Sequence, residues 1–198
     1  MMARWMMALA ALTIAFFPLA GAMSHAADST KTAIFAGGCF WCVEDAFDKV
    51  PGVTETVSGY AGGTKPNPNY GDHEGYQEAV RVTYDPAKVS YQQLLDQFWH
   101  NIDPFDAEGQ FCDKGNAYRS VIFTGDEDEA KLAEAEKKDI AARFKQDVAT
   151  EIKPATTFTA AEGYHQNYHN TNTVSYKFYK WNCGRAQRLE EIWRAPPA

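Results

Sequence analysis

The sequence predicts an α+β fold in which helices pack against one mixed β-sheet as a two-layer sandwich. Strand-like and helix-like runs alternate irregularly along the chain, which is typical of α+β domains. The 198 residues are 45% hydrophobic and 14% aromatic, a composition and length that suit one well-packed domain. Neither an internal repeat nor a low-complexity segment interrupts this pattern. We therefore expect a single domain built around one sheet.

Five runs are predicted as strands because β-branched and aromatic residues alternate in them and turn residues bound them. In chain order they cover residues 32–36, 53–59, 78–84, 118–124 and 150–153. Asp85-Pro86 ends the third strand. Residues 60–77 form a long loop rich in Gly, Pro and Asn, and a second irregular stretch covers residues 102–117. A long loop inside a compact domain is usually functional.

Four runs are predicted as helices because their apolar residues recur at helical spacing. They cover residues 43–49, 90–101, 126–144 and 185–193, while residues 158–168 begin as a turn and become helical. Pro51-Gly52 breaks the first helix, and Ser90 caps the second. Gly125-Asp126 starts the long, charged third helix.

Residues 1–26 have the pattern of a secretory signal peptide. Arg4 is their only charged residue, an apolar run covers residues 6–19, and Ser24-His25-Ala26 provides small residues for cleavage after Ala26. An uncleaved membrane anchor is the alternative, but the apolar run is short for a membrane span. We therefore expect an exported domain of residues 27–198, periplasmic or secreted, that is not inserted in the membrane after cleavage.

The charge and the cysteines narrow the possible functions. The formal net charge of the chain is −7, which argues against binding to nucleic acid. Four cysteines are too few for a disulfide scaffold in a chain of this length, although an exported protein can form disulfides. We interpret them as redox-active; they are Cys39, Cys42, Cys112 and Cys183.

The most informative stretch is Gly-Gly-Cys-Phe-Trp-Cys at residues 37–42, between the first strand and the first helix. Unpaired N–H groups and the helix dipole at a helix start favour a thiolate at Cys39. The two glycines allow a tight turn and the close approach of a substrate. Phe40 and Trp41 can form an apolar wall for a substrate group. A buried structural cysteine among core aromatic residues is the alternative.

Candidate polar groups lie outside this stretch. Glu78 begins a strand among apolar neighbours, where a half-buried carboxyl group has a raised pKa and can donate a proton. A solvent-facing strand position is the other interpretation of Glu78. Tyr60 and Tyr118 each lie where a strand meets a loop, although tyrosines are also common in cores. Asp113 follows a cysteine in a predicted turn.

Together these motifs resemble the A-type peptide methionine sulfoxide reductases over nearly all of residues 27–198. The matching motifs, in order, are Gly-Cys-Phe-Trp at 38–41, Ser-Gly-Tyr-Ala-Gly-Gly at 58–63, Glu-Ala-Val at 78–80, Tyr-Asp-Pro at 84–86, Phe-Trp at 98–99, Asp-Pro at 103–104, Tyr-Arg-Ser at 118–120, Ala-Glu at 161–162 and Tyr-His-Gln at 164–166. The resemblance implies a ferredoxin-like core. It also implies thiol-dependent reduction of methionine-S-sulfoxide, free or in proteins, which would repair oxidised exported proteins.

The resemblance implies a role for each candidate in the reduction step. Cys39 would attack the sulfoxide sulfur, and Glu78 would protonate the departing oxygen. Tyr60 and Tyr118 would hydrogen-bond to that oxygen. A sulfoxide oxygen leaves poorly unless it is protonated, so these roles agree with the chemistry of the residues. Asp113 would help to organise the site.

The resemblance also implies how substrate is held and how the enzyme is recycled. Phe40 and Trp41 would hold the S-methyl group. The Cys39 sulfenic acid must be captured by a second thiol to form a disulfide. Cys183, in a tail segment predicted to be flexible, is the favoured resolving residue, and Cys42 is the local alternative.

The resemblance implies no metal and no organic cofactor. A thioredoxin-like protein or a small dithiol would supply the electrons. We expect a Cys39–Cys183 disulfide after one turnover and the smallest role for Cys112.

Two other interpretations stay open. A general thiol–disulfide oxidoreductase could use Cys39 and Cys42. A secreted, zinc-stabilised binding module could use the four cysteines, but their spacing lacks a second Cys-x-x-Cys. His165 and His169 are four residues apart without the glutamate of a His-Glu-x-x-His motif. Neither alternative has a use for a glutamate and two tyrosines around the cysteine.

Overall fold

The computed structural model describes residues 30–194, and a six-stranded sheet lies at its centre. The strands are β1 (Lys31–Ala36), β2 (Val53–Ala61), β3 (Gln77–Tyr84), β4 (Gly109–Gln110), β5 (Asp113–Lys114), β6 (Val121–Thr124), β7 (Glu151–Pro154) and β8 (Thr159–Ala160). The sheet has the order β7-β6-β1-β3-β2-β8, with β6 and β7 parallel and the other neighbours antiparallel. β4 and β5 form a separate two-stranded ladder.

The helices are α1 (Phe40–Phe47), α2 (Tyr91–Trp99), α3 (Glu127–Phe144), α4 (Tyr168–Thr171), α5 (Thr173–Asn182) and α6 (Arg185–Arg194). Short 3₁₀ turns cover Asn116–Tyr118 and Gly163–His165. A capping box at Ser90 begins α2, and Asp126 caps α3, as the sequence predicts. None of these helices has both the length and the apolar character needed to cross a bilayer.

Helices cover one face of the sheet. Successive strand residues point to opposite faces, so neighbouring residues of one strand have different surroundings. Phe35 of β1 packs there against Phe47 of α1 and Phe98 of α2, with ring centroids 5.0 and 5.2 Å apart. The next residue, Ala36, belongs to a smaller cluster with Phe123 on the opposite face. This arrangement confirms the α+β fold and the mixed sheet packed with helices.

Three parts of the fold differ from the sequence-based expectations. The strand expected at 118–124 begins at Val121, because Tyr118 lies in a 3₁₀ turn. Helix α5 was not expected, since its β-branched and aromatic residues favour strands and only Tyr176 in it is buried. The segment around Cys183 is the end of α5 and a tight turn at Gly184, rather than a flexible tail. The predicted signal peptide lies outside the described residues.

Candidate active site

A cavity of about 80 Å³ opens where α1 meets the strands. Eight residues line it: Cys39, Phe40, Trp41, Tyr70, Glu78, Asp113, Tyr118 and Tyr179. The structure thus brings together six of the predicted site residues and adds Tyr70 and Tyr179. Tyr60, Cys42 and Cys183 do not line the cavity.

The turn before α1 places Cys39 in this cavity. Cys39 is the N-cap of α1, and its carbonyl accepts hydrogen bonds from the N–H groups of Cys42 and Val43 at 3.0 and 3.3 Å. Gly38 has φ +83°, and a Cβ on it would lie 2.6 Å from Cβ of Gln110. Gln110 cannot move away easily, because its side-chain amide makes two 2.8 Å hydrogen bonds to the backbone. Glycine is therefore required at position 38.

The thiol of Cys39 does not have the depressed pKa that the sequence suggested. Burial raises its pKa well above the usual value, the neighbouring Cys42 and Glu78 add to the effect, and a hydrogen bond between the thiol and Tyr179 opposes it. A hydrogen bond from Cys39, assisted by Arg185 and other nearby groups, lowers the pKa of Cys42 to about 6. The neutral thiol form of Cys39 is thus favoured. The free-energy cost of placing a thiolate in a low-dielectric site is larger than the stabilisation that the N-terminus of α1 offers to it.

Glu78 is a buried, neutral acid beside the thiol. Only 2% of the residue is exposed, and its Oε2 accepts a hydrogen bond from the N–H of Phe40 at 3.0 Å. Burial raises the pKa of Glu78 to about 8, and the charges of Asp113 and Cys42 act in the same direction. The solvent-facing alternative for Glu78 is wrong, and the carboxyl group carries a proton at neutral pH.

The tyrosines are placed differently from the expectation. Tyr118 lines the cavity, but the hydroxyl of Tyr60 donates to Oε2 of Glu162 at 3.1 Å. Tyr70 lines the cavity in place of Tyr60. It lies on the long loop between β2 and β3, where its N–H donates to Oε1 of Glu162 at 2.9 Å. One feature of the sequence could have identified Tyr70: it is an aromatic residue in the Gly-, Pro- and Asn-rich loop that leads to Glu78.

Asp113 and Tyr179 line the cavity together. The Tyr179 hydroxyl donates to Oδ2 of Asp113 and also hydrogen-bonds to the thiol of Cys39. Burial raises the pKa of Asp113, although the bond from Tyr179 opposes the shift. Tyr179 escaped sequence analysis because helix α5, which carries it, was not predicted.

The aromatic wall is built mainly on Trp41. Its ring stacks on that of Tyr168 with centroids 3.8 Å apart and planes at 10°, and Tyr179 meets it edge-on at 6.0 Å. Phe40 lies beside it at 6.2 Å and contacts the ring of His165 at 5.0 Å. These rings give the cavity an apolar side next to the thiol.

The cysteines are paired differently from the expectation. Cys112 and Cys183 form a disulfide, whereas Cys39 and Cys42 are free thiols that are 6% and 3% exposed. Helix α5 runs past the cavity and ends at Cys183, which brings it to the β4–β5 turn that carries Cys112. The minor role expected for Cys112 is therefore revised, because Cys112 is the partner of Cys183.

Comparisons with known proteins all point to one family. A model of the family described as "Peptide methionine sulfoxide reductase" matches residues 31–196. A Rhizobium meliloti protein, "Peptide methionine sulfoxide reductase MsrA 2", is 47% identical over 163 residues, which are 81% of this chain and 82% of that protein. The Bacillus subtilis protein "Peptide methionine sulfoxide reductase MsrA" is 42% identical over 174 residues, 85% of this chain and 98% of that protein.

Solved structures give the same result. The chain is similar to methionine sulfoxide reductase A of Corynebacterium diphtheriae, with a TM-score of 0.66 and 31% identity, covering 73% of this chain and 76% of that one. It is also similar to reduced Mxr1 of Saccharomyces cerevisiae, with a TM-score of 0.66 and 29% identity over 73% and 86% of the two chains. The chain belongs to the peptide methionine sulfoxide reductase family and is an oxidoreductase that acts on a sulfur group.

Proposed function

We propose that the Cys39 cavity reduces methionine-S-sulfoxide, free or in exported proteins, to methionine. The observation that carries this proposal is a buried thiol, a neutral carboxyl group and two tyrosine hydroxyls around one cavity with an apolar wall. A sulfoxide has one polar oxygen, one methyl group and an electrophilic sulfur. The cavity offers a complementary group for each of them.

In the proposed reduction step, the Cys39 sulfur attacks the sulfoxide sulfur while Glu78 donates its proton to the oxygen. Tyr118 and Tyr70 hydrogen-bond to that oxygen, and Tyr70 takes the place first given to Tyr60. A bond forms between the two sulfurs, and the oxygen takes up the protons of Glu78 and of the Cys39 thiol and leaves as water when the S–O bond breaks. A water molecule then attacks the Cys39 sulfur and returns a proton to Glu78, the bond between the two sulfurs breaks, methionine leaves as a thioether, and Cys39 becomes a sulfenic acid. Protonation is essential because an unprotonated oxygen is a poor leaving group.

The disulfide in the structure supports a proposed route for recycling. The thiol of Cys183 condenses with the sulfenic acid, forming a Cys39–Cys183 disulfide and releasing water. The thiolate of Cys112 then attacks the Cys183 sulfur, which frees the Cys39 thiol and leaves the Cys112–Cys183 disulfide seen in the structure. Cys42 hydrogen-bonds to Cys39 and is the alternative first acceptor.

A thioredoxin-like dithiol is the proposed reductant of the Cys112–Cys183 disulfide. Cys112 is exposed, so an external protein can reach this disulfide, while Cys39 and Cys42 are buried. Mxr1 of Saccharomyces cerevisiae is known in complex with Trx2, in a structure with which this chain shares 23% identity and a TM-score of 0.52. Burial of Cys39 and Cys42 also disfavours a general disulfide oxidoreductase that acts directly on protein disulfides.

The decisive experiment measures turnover of both epimers of a methionine sulfoxide peptide with dithiothreitol as the reductant. We expect turnover of the S epimer only, and none for Cys39→Ser, because a hydroxyl group is not a thiolate equivalent at neutral pH. Turnover of neither epimer, or full activity of Cys39→Ser, would overturn the proposal.

We also propose that the protein is exported and acts on oxidised proteins outside the cytoplasm. The support is the signal-peptide pattern of residues 1–26. Cell fractionation with an antibody, followed by N-terminal sequencing, is expected to find a periplasmic or secreted chain that begins at Ala27. A cytoplasmic chain that begins at Met1 would contradict export.

A further inference from the structure

A buried carboxylate joins α1 to the segment that follows the second 3₁₀ turn. Glu44 lies on α1 three residues after Trp41 and is fully buried. Its Oε1 and Oε2 both accept the N–H of Asn167, at 3.2 and 3.1 Å. Burying a carboxyl group costs free energy unless the group is hydrogen-bonded, so the bond to the Asn167 amide is needed to keep Glu44 buried at this position. The reduction step proposed above does not use it.

The chain around Asn167 is held by a second polar anchor. The side chain of Gln166 accepts the N–H of Ser58 and donates to the Ser58 carbonyl, both at 2.9 Å. Asn167 itself has φ +52° and begins α4, where its carbonyl accepts the N–H of Asn170 at 2.9 Å. Residues 165–168 are therefore attached to β2 through Gln166 and to α1 through Glu44.

This segment carries the rings that support the aromatic wall of the cavity. Tyr168 stacks on Trp41 at 3.8 Å. His165 lies 5.0 Å from the ring of Phe40 and 5.7 Å from that of Trp41. A displacement of the segment would move the support away from both rings that line the cavity.

Two titratable side chains, His169 and Asp48, lie near Glu44. Nδ1 of His169 on α4 lies 3.9 Å from Oε2 of Glu44, and Nε2 of the same ring lies 3.2 Å from Oδ2 of Asp48. Burial raises the pKa of Glu44 to about 7, and the Asn167 amide opposes this shift while Asp48 adds to it. The Ser58 hydroxyl also opposes it.

We propose that Glu44 is a positioning residue for the substrate pocket: by holding the Asn167 amide it fixes Tyr168 against Trp41, and so sets the orientation of the wall that receives the S-methyl group. This inference rests on the proposed function, because that function makes the wall a substrate contact. Its expected signature is weaker substrate binding with little change in the chemical step.

The test compares Glu44→Ala, Glu44→Gln and Gln166→Ala in steady-state assays with a methionine-S-sulfoxide peptide and dithiothreitol. Small displacements of positioning groups cost up to about 10²-fold, so we expect Glu44→Ala and Gln166→Ala to raise KM about tenfold, with kcat within about threefold. Glu44→Gln keeps an oxygen acceptor for the Asn167 amide and should return KM to within about twofold of wild type.

The matched control is Ile140→Val, a buried substitution on α3 away from the cavity. It should lower the melting temperature without changing KM. A wild-type KM in folded Glu44→Ala would overturn the inference. If Glu44→Ala does not fold, Glu44→Asp, whose shorter side chain draws the carboxyl group away from the Asn167 amide, takes its place with the same expected result and the same contradicting outcome.

A readout without turnover separates this inference from the proposed function. The near-ultraviolet circular dichroism of Trp41, obtained by subtracting the spectrum of Trp41→Phe, should be lost in Glu44→Ala and kept in Glu44→Gln. If wild type turns over neither epimer, the proposed function fails and this spectrum still tests the link from Glu44 to Trp41. An unchanged Trp41 signal in Glu44→Ala would overturn that link.

Discussion

At the scale of single residues, the surroundings of Glu78 determine the chemistry of the cavity. Its carboxyl group is buried on β3, and its Oε2 accepts the Phe40 amide at the start of α1. Burial outweighs that hydrogen bond, so the pKa rises to about 8. A single strand residue thus becomes an acid that still carries its proton at neutral pH.

Replacing Glu78 tests this acid directly. Glu78→Gln keeps the shape and a hydrogen-bond acceptor but cannot deliver a proton, so the single-turnover rate at pH 7 should fall by about 10²–10⁴-fold. In wild type, the same rate should fall as pH rises through about 8, because the carboxyl group ionises. Rapid-quench measurements from pH 6 to 9.5 check both effects. A rate in Glu78→Gln equal to that of wild type would remove Glu78 from the mechanism.

The tyrosines provide a second residue-scale prediction. Tyr70→Phe and Tyr118→Phe each remove a hydroxyl that lines the cavity and should each lower kcat/KM by about tenfold or more. Tyr60→Phe removes a hydroxyl bound to Glu162 and should stay within about twofold of wild type. Steady-state kinetics of the three variants check this order. A loss in Tyr60→Phe larger than that in Tyr70→Phe would restore the original assignment.

At the scale of elements, α5 connects the cavity to the protein surface. Tyr179 on this helix contacts the Cys39 thiol and Asp113. Tyr176 and Lys180 on the same helix bind Oδ2 of Asp45 on α1 at 2.8 and 2.7 Å. The helix is thus held by side-chain contacts with α1 and the β4–β5 turn, and its end presents Cys183 to Cys112.

This placement predicts how the cysteine variants behave. Cys112→Ser and Cys183→Ser should keep dithiothreitol-driven activity and lose most activity with a thioredoxin-like protein, because the exposed disulfide cannot form. Cys42→Ser should lose less of the donor-driven activity. Parallel assays with the two reductants check this prediction. Peptide mapping after one equivalent of substrate should show Cys112–Cys183 in wild type, and a stable Cys39–Cys42 disulfide would instead favour the local pair.

Buried carboxyl groups make the stability of the entire fold depend on pH. Burial raises the pKa of Glu78 to about 8 and that of Glu44 to about 7, above the values expected in the unfolded chain. At pH values between the pKa of these carboxyl groups in the unfolded chain and their pKa in the native state, the native state binds more protons than the unfolded state. The stabilisation that these groups contribute is therefore complete below about pH 4.5 and is lost as pH rises through about 8.

The measurable consequence is a stability difference between pH 5.5 and pH 7.5. One carboxyl group that stays protonated only in the native state contributes up to about 1.4 kcal/mol per pH unit, so Glu78 alone accounts for roughly 2 kcal/mol over this interval. Glu78→Gln should therefore lose less stability than wild type on going from pH 5.5 to 7.5. Urea unfolding at both pH values checks this, and equal losses in the two proteins would contradict it.

Patterns in the amino-acid sequence are enough to predict the fold class, the strand–glycine–cysteine–helix junction and the acid at the start of β3. These features depend on local patterns: β-branched runs, the turn at Gly38, the cap at Ser90 and the motifs shared with a family. The family motif also predicted Tyr60 for the site. The structure pairs Tyr60 with Glu78 across β2 and β3, but the Tyr60 hydroxyl binds Glu162 instead of lining the cavity.

Which side chains reach the cavity, and how the pKa of the Cys39 thiol shifts, depend on long-range packing that local sequence patterns do not specify. Tyr70 and Tyr179 enter the site from a loop and from a helix that local propensity does not predict, because long-range contacts hold both in place. Cys183 pairs with Cys112 across a sequence separation of 71 residues, which no spacing rule specifies. The pKa of the Cys39 thiol is raised rather than depressed because burial, which exists only in the folded chain, outweighs the helix dipole.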